Sequence, residues 1–299
     1  MTLEQLRIFV EVAEREHLTQ AAGALSLTPS AVSASIKVLE DRYGTALFHR
    51  IGRRIETSDA GRIFLAEARR TLASARAAEA TLADLGELRR GALSIYASQT
   101  IASYWLPALL VRFRQNYPAI DLHLAVDNTG NVAQAVLQGG ADLGFVEGAI
   151  AESMLSSEVV GQDKLVIVVA PDHPWADGRK LETGDLITAQ WILREAGSGT
   201  RSAFESALAA LGLPAATLRV ALALPSNEAV RSAVMAGPFA TAMSELVVAP
   251  YLKAGLLVLA KCPLPARKFS MLRHPERHRS RAAAAFEDLV RADLESKAK

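Results

Sequence analysis

Residues His17–Asp41 read HLTQAAGALSLTPSAVSASIKVLED, two short helical patterns of mostly small residues on either side of a break at Ser26-Leu27. Thr19 is placed to cap the first helix, TQAAGAL. Thr28 is placed to cap the second, with Pro29 at the first helical position, where a missing N–H costs nothing and a fixed φ suits the helix. Val32, Ile36, Leu39 and Tyr43 recur at helical spacing and share one face, while Ser30, Ser33, Ala34 and Lys37 lie opposite. Small residues such as Ala22 let the two helices cross closely. Such a pair suits a helix–turn–helix, whose second helix can enter the DNA major groove and offer hydroxyls to base edges or phosphates. An ordinary small helical domain with solvated serines has the same periodicity, so the pattern alone does not separate the two.

Two neighbouring features favour DNA. The segment LFHRIGRRIETSD reads as a hairpin around Gly52 and clusters His49, Arg50, Arg53 and Arg54, a wing placed for phosphates. From Ala60 to about Leu88 the chain is rich in Ala, Arg and Glu, without Pro, and reads as one long helix. Leu65, Ala68, Leu72, Ala75, Glu79 and Leu82 fall at spacings of three and four, a short heptad seam interrupted at Glu79. The seam packs either on its own domain or on a second copy. Dimerisation is favoured because the helix separates two regions of different composition, and helix–turn–helix proteins usually read paired half-sites as dimers.

Across all 299 residues the formal net charge is only +1, so nucleic-acid binding has to come from a local face. Half the residues are apolar, enough for more than one core. The single cysteine, Cys262, excludes an intramolecular disulfide and fits a reducing cytoplasm; its expected place is near a strand end. The N-terminal MTLEQLRIFVEVAERE lacks the basic start and apolar core of a signal peptide, and no apolar run is long enough for a membrane span. A soluble cytoplasmic protein without a membrane partner is expected.

After Gly91, strand-like and helical runs alternate: ALSIYAS, YWLPALLVRFRQNY, DLHLAVD, VAQAVLQGG and ADLGFVE, then KLVIVVAP, QWILRE, RSAFESALAALG, RVALALPS, NEAVRSAVMAG, PFATAMS and LLVLAK. Apolar strands followed by helices predict βαβ units, largely parallel sheets and covered faces. Their number predicts two α/β lobes, with RKFSMLRHPERH and the last helix folding back onto the first. In such lobes ligands sit where strands end and helices begin. Ser98, Gln99 and Thr100 occupy one such loop. Gly197, Ser198, Gly199, Thr200 and Arg201 occupy another, with Asn128, Thr129, Glu147, Ser226 and Asn227 at comparable ends. Facing each other, the two loops would hold a small carboxylate, phosphate or sulfate ester at helix N-termini. Alternatively, Ser98 and Thr100 are only caps and GSGTR only a turn; it lacks the Gly-Lys-Ser/Thr of a nucleotide loop.

Catalytic and metal signatures are absent. His274 and His278 are four apart, but Pro275 and the surrounding arginines suit a solvated turn better than a metal site. Asp172-His173-Pro174 reads as a loop. No nucleophile–base set converges, so no enzyme, metal or cofactor is expected. The rival readings are a solute-binding module whose N-terminus only dimerises it, and an enzyme using the GSGTR loop.

The stretch Leu3–Gly61 resembles the N-terminal domain of LysR-type transcriptional regulators. The resemblance rests on Leu6 and Phe9, Thr19-Gln20-Ala21-Ala22, Pro29-Ser30, Val32-Ser33, Ile36, Leu39-Glu40, Leu47-Phe48, Arg50, Arg53 and Ala60-Gly61. It implies an N-terminal winged helix–turn–helix (mainly α), a long dimerising linker helix, and a two-lobed α/β effector domain like a periplasmic binding protein. It also implies homotetramers on double-stranded operator DNA, RNA polymerase as a further partner, and small anionic metabolites bound between the lobes. The corresponding domains are about 1–58, 59–89 and 90–299, with lobe I at about 90–161 and 267–299 and lobe II at about 162–266. The expected DNA contacts are Thr19, Gln20, Thr28, Pro29, Ser30, Ser33, Lys37, Arg50, Arg53 and Arg54. The segment REAGSGTR looks similar to members controlling sulfur or carbon assimilation. The chain departs from the family at Ala34, where many members carry Arg, and at Thr57-Ser58, where Leu-Thr is usual; Glu56 also adds a negative charge beside the wing. These departures leave operator preference open.

Overall fold

The computed structural model describes residues 1–51, 54–84, 91–148, 150 and 154–298, with the side chains of Arg50, Ile51, Arg54, Ala77, residues 80–84 and residue 298 outside that description. The chain divides into two compact units, Met1–Gly86 and the bulk of Glu87–Lys299.

In the first unit, α1 (Leu3–Arg15) begins with a capping box between Thr2 and Gln5. It ends at Glu16, a non-glycine residue in the left-handed region at φ 47°. α2 (Leu18–Ala24) follows after one residue. His17, not Thr19, caps it, its Nδ1 accepting from the Gln20 amide at 3.4 Å. The tight left-handed exit from α1 leaves room for only one extended residue before the next helix. α3 (Pro29–Tyr43) starts at Thr28, whose hydroxyl accepts from the Ala31 amide at 3.2 Å. The axes of α2 and α3 differ by 105°, within the helix–turn–helix range. β1 (Phe48–Ile51) and β2 (Arg54–Thr57) pair antiparallel with Phe48 opposite Thr57, and α4 (Asp59–Asp84) follows.

Leu6, Phe9 and Val12 of α1 form the centre of this unit's core with Ala21, Ala22, Val32, Ile36, Leu39, Phe48 and Ile55. The Phe9 ring lies 5.5 Å from Phe48 and 4.8 Å from Phe64. Fully burying a side chain such as Phe9 or Val12 contributes about 1.5–3 kcal/mol. Tyr43 is exposed, because the last turn of α3 runs past the core to its cap at Gly44. Ala68 and Leu72 of the heptad seam are buried in this same core, with Leu65 packed against it. The first half of the seam is therefore used within the chain.

Among the described residues, the second unit is built on nine strands joined by hydrogen bonds. β3 (Gly91–Ser98) leads into α5 (Gln99–Tyr104) and α6 (Leu106–Asn116). β4 (Ile120–Asp127), α7 (Thr129–Gln138) and β5 (Leu143–Glu147) complete lobe I's parallel set. β6 (Ser156–Val169) crosses into lobe II, where α8 (Thr183–Thr188), β7 (Gln190–Arg194), α9 (Gly199–Ala210), β8 (Arg219–Leu224), α10 (Asn227–Met235), β9 (Ala240–Ser244), α11 (Glu245–Lys253) and β10 (Val258–Leu259) follow. β11 (Ala266–Arg273) returns between β5 and β6, and α12 (Arg281–Ala298) packs Phe286 and Val290 into the lobe I core.

The expectation of largely parallel sheets with covered faces needs two corrections. β11 pairs antiparallel with β5 and β6, and β6 antiparallel with β9 and β10, so one mixed hydrogen-bonded path joins the lobes. The outer strands β4 and β8 are mostly exposed. β6 also starts at Ser156, eight residues before the apolar run KLVIVV. Its first half alternates and carries Asp163 inward, so it lacks the continuous apolar signal. Cys262 is partly buried just beyond β10, and burial pushes its thiol pKa up.

Candidate functional site

The first unit presents one face of α3. Thr28, Ser30, Ala34 and Lys37 are exposed and Ser33 is half-buried, while Val32, Ile36 and Leu39 hold the helix to the core. The Thr28 and Ser30 hydroxyls share a hydrogen bond at 3.1 Å. Pro29 is exposed at the first turn, and Thr19 and Gln20 are exposed on α2. Arg53 lies outside the described residues, as do the side chains of Arg50 and Arg54; their place is fixed only by the hairpin register, with Arg50 opposite Ile55 and Ile51 opposite Arg54.

Two carboxylates, which the sequence reading did not single out as clamps, hold the hairpin on the helices. Glu40 near the end of α3 accepts from the amides of Leu47 and Phe48, at 2.7 and 3.1 Å. Glu16 accepts from the Thr57 amide at 2.8 Å, and this bond holds its pKa below the ordinary carboxylate range. Gly61, in the first turn of α4, lies so close to the Leu47 carbonyl and the Thr57 side chain that a Cβ would overlap both.

In the second unit the strand-end loops of both lobes meet at Glu147, which is 2% exposed. The Ser98 hydroxyl donates to Glu147 Oε2, and that of Thr200 to Oε1 at 3.4 Å. Thr129 donates to the Glu147 carbonyl at 3.0 Å. Lobe II is held against lobe I by the Gly130 amide on the Gly197 carbonyl at 3.1 Å. Gly197 also lies against the side chain of Asn128. Gln99 accepts from the Asn227 amide at 2.7 Å and donates to Glu228 at 3.1 Å. Asn227 donates to Thr100 Oγ1 at 3.2 Å. Ser98, Gln99, Thr100, Asn128, Thr129, Glu147, Gly197, Gly199, Thr200 and Asn227 thus converge, with Ser198 buried at the cap of α9.

The Arg201 head is turned away along its own helix, to Glu205 at 2.8 Å and the Arg194 carbonyl at 3.3 Å. The buried positive charges belong to Arg267 and Arg194, which sequence reasoning missed. Arg267, on β11, donates to Asp163 at 2.8 Å, Thr200 at 2.9 Å and Thr100 at 3.4 Å, and stands 3.6 Å from Glu147. Arg194, on β7, holds Glu195 through two nitrogens at 2.7 and 2.9 Å and Asn227 at 2.7 Å. Arg267 shares β11 with Lys268 and Arg273, and Arg194 ends β7, so no local pattern marks either as the charge that is buried with partners. Among the described residues no group of three or more His, Cys, Asp or Glu is arranged to hold a metal ion, and no single helix is long and apolar enough to cross a membrane.

Among the described residues, two hydroxyls of this cluster have no acceptor for their hydrogens. Thr100 Oγ1 accepts from both Asn227 and Arg267, so its own hydrogen remains to be given. Ser198 Oγ is buried without any partner at the N-terminus of α9.

A winged helix–turn–helix followed by two lobes that close on a buried polar cluster is the build of a DNA-binding regulator with a module for a small ligand. Residues 3–62 match the family described as bacterial regulatory helix-turn-helix protein, lysR family, and residues 86–295 the LysR substrate binding domain. The chain belongs to the LysR family of transcriptional regulators. It is 38% identical over 290 residues to the uncharacterized HTH-type transcriptional regulator YeiE of Escherichia coli (strain K12), covering 96% of each chain. Its fold is similar to full-length CbnR complexed with target DNA (TM-score 0.68, 22% identity, 98% and 99% of the two chains). It is also similar to the Synechocystis PCC6803 CcmR regulatory domain in complex with 2-PG (TM-score 0.62, 25% identity, 69% of this chain and 98% of that one).

Proposed function

We propose that this regulator reads operator DNA with the Thr28–Lys37 face of α3 and responds to a small anionic metabolite held between its two α/β lobes. The observation that carries the ligand reading is the pair of unspent protons on Thr100 and Ser198. They sit at the starts of α5 and α9, in opposite lobes, within a buried cluster where an unsatisfied polar group is costly and a ligand oxygen would accept it. Thr28, Ser30, Ser33 and Lys37 contact the groove; Thr19, Gln20 and Pro29 flank them. Arg50, Arg53 and Arg54 lie on phosphates. The part of α4 beyond Leu72 pairs two copies, since Ala68 and Leu72 are already covered, and four copies assemble in the cytoplasm on one regulatory region. Ligand binding favours one of two arrangements of that assembly and thereby alters operator spacing or bending, and with it contact to RNA polymerase. The protein acts by binding, without catalysis or a cofactor. The chain's likeness to the CcmR regulatory domain, solved with 2-PG, supports a ligand in this module.

Gel-shift with the DNA upstream of the protein's own gene tests the first half. Arg53→Ala combined with Arg54→Ala is expected to weaken binding and to reduce the slope of log affinity on log salt by roughly 2, about 0.9 for each phosphate no longer neutralised. An unchanged slope overturns the wing assignment. Thermal shift with a panel of small carboxylates, phosphate esters and inorganic anions tests the second half. A stabilising compound that loses its effect in Thr100→Val supports the cleft; no stabilisation by any compound removes it.

A further inference from the structure

The charges around the inter-lobe cluster do not suit a bare anion. Two guanidiniums, Arg194 and Arg267, face three carboxylates, Glu147, Asp163 and Glu195, and each guanidinium is already held by a carboxylate of the chain. The cluster's hydroxyls give the hydrogens of Thr100 and Ser198, beside the two Arg194 N–H hydrogens not used on Glu195 and Asn227. What the cluster has to receive lies on Glu147, whose two oxygens offer about four lone-pair sites. They take one bond from Ser98 and a long one from Thr200, and Oε1 stands 3.6 Å from an Arg267 guanidinium that is already held by Asp163. Glu147 is buried at the point where the lobes meet, and its carboxylate is bonded by Ser98 and Thr200, each two residues along the chain from Thr100 and Ser198.

Resting on the reading of this cleft as the ligand site, we infer that Glu147 selects the effector: the ligand is a small anion that also carries a hydrogen-bond donor. Hydroxy acids, amino acids and oxyanions that retain a proton belong to this class. An oxygen of the ligand accepts from Thr100 and Ser198, and its O–H or N–H donates to Glu147. A fully deprotonated dianion such as sulfate has nothing to donate and meets the carboxylate as a like charge. Two like charges in contact at a partly screened site weaken binding by about 100- to 1000-fold relative to a neutral neighbour.

The test uses the full-length protein at pH 7.5 and inorganic sulfate as the probe, by calorimetry and thermal shift. Wild type is expected to ignore sulfate. Glu147→Gln keeps the shape and removes the charge, and is expected to bind sulfate at least about tenfold more tightly; adding Thr100→Val abolishes the gain. An equal response of wild type and Glu147→Gln to sulfate overturns the inference. A second measurement needs no variant. Wild type is titrated with matched acids, glycolate against acetate, lactate against propionate and malate against succinate. Among pairs that bind, the hydroxy acid is expected to win by at least about tenfold, the worth of one hydrogen bond to a charged group. An acid without the hydroxyl that binds as well as its partner overturns the role of Glu147 while leaving the cleft reading intact. Binding by none of these probes, in either protein, removes the cleft reading and the inference together.

Discussion

Gly199, the first residue of α9, lies against Glu147 so closely that a Cβ at this position would overlap the Glu147 carbonyl oxygen, with the Thr129 hydroxyl and Glu147 Cγ also inside contact distance. The two residues belong to opposite lobes. Their approach brings the α9 N-terminus, with Ser198 and Thr200, onto the strand end that carries Glu147. Closure of the lobes therefore depends on a missing methyl group.

Gly199→Ala is expected to hold the lobes apart. The added carbon meets backbone oxygen, which cannot rotate away, so overpacking of about 1–3 kcal/mol is expected. Hydrogen exchange on the full chain should show faster exchange at the end of β5 and the start of α9, with α1–α3 unchanged. Unchanged exchange around Glu147 would mean that the backbone accommodates the methyl and that closure does not rest on Gly199.

Thr28→Ala removes the hydroxyl that accepts the Ala31 amide, at a cost of about 1 kcal/mol typical of an N-cap. Amides of the first turn of α3 should exchange faster and operator affinity should fall. Thr28→Ser retains a capping oxygen and is expected to recover the protection. Loss of affinity in Thr28→Ala with no change in exchange would assign the hydroxyl to DNA alone.

The Glu16–Thr57 bond predicts an acid-sensitive hairpin. The Thr57 amide lowers the folded pKa of Glu16, so the bond's contribution is complete above the unfolded pKa and is lost as pH falls through the lower folded value. Protection of the Thr57 amide, corrected for intrinsic exchange, should be constant near neutral pH and decline below the ordinary carboxylate range. In Glu16→Ala the protection should be low throughout and lack that step. A step of the same size in the variant would assign it to another group.

The helix–turn–helix was legible because its determinants are local. Thr28, Pro29 and the Val32–Ile36–Leu39 face each lie within four residues of the next, and the core they form is the expected one. The error at Thr19 came from ranking caps by residue type, when the left-handed turn at Glu16 decides where α2 starts. The seam at Ala68 and Leu72 shows a limit of periodicity: spacing marks a face to be covered without saying what covers it, and here α1 does so. The strand-end loops that meet between the lobes were legible by their residue types. The buried charges beside them were not, because Arg267 meets Asp163 across 104 residues and no local pattern pairs them.

That pair supports a last prediction. Arg267 and Asp163 side chains are 4% and 2% exposed, with Nη2 and Oδ2 at 2.7 Å. Removing one partner strands the other charge in the interior, at a cost of about 3–5 kcal/mol. Arg267→Met should be the worse of the two single changes, because it leaves both Asp163 and Glu147 without their cation. Asp163→Asn leaves Arg267 with Thr200, Thr100 and the more distant Glu147. The double variant should be markedly more stable than the sum of the single losses implies, since neither charge of the pair then remains. Denaturant unfolding of the four proteins, followed by the fluorescence of Trp105, Trp175 and Trp191, all in this unit, measures the coupling. Strict additivity would show that the two side chains do not depend on each other, and that Glu147 and the threonines suffice to hold Arg267.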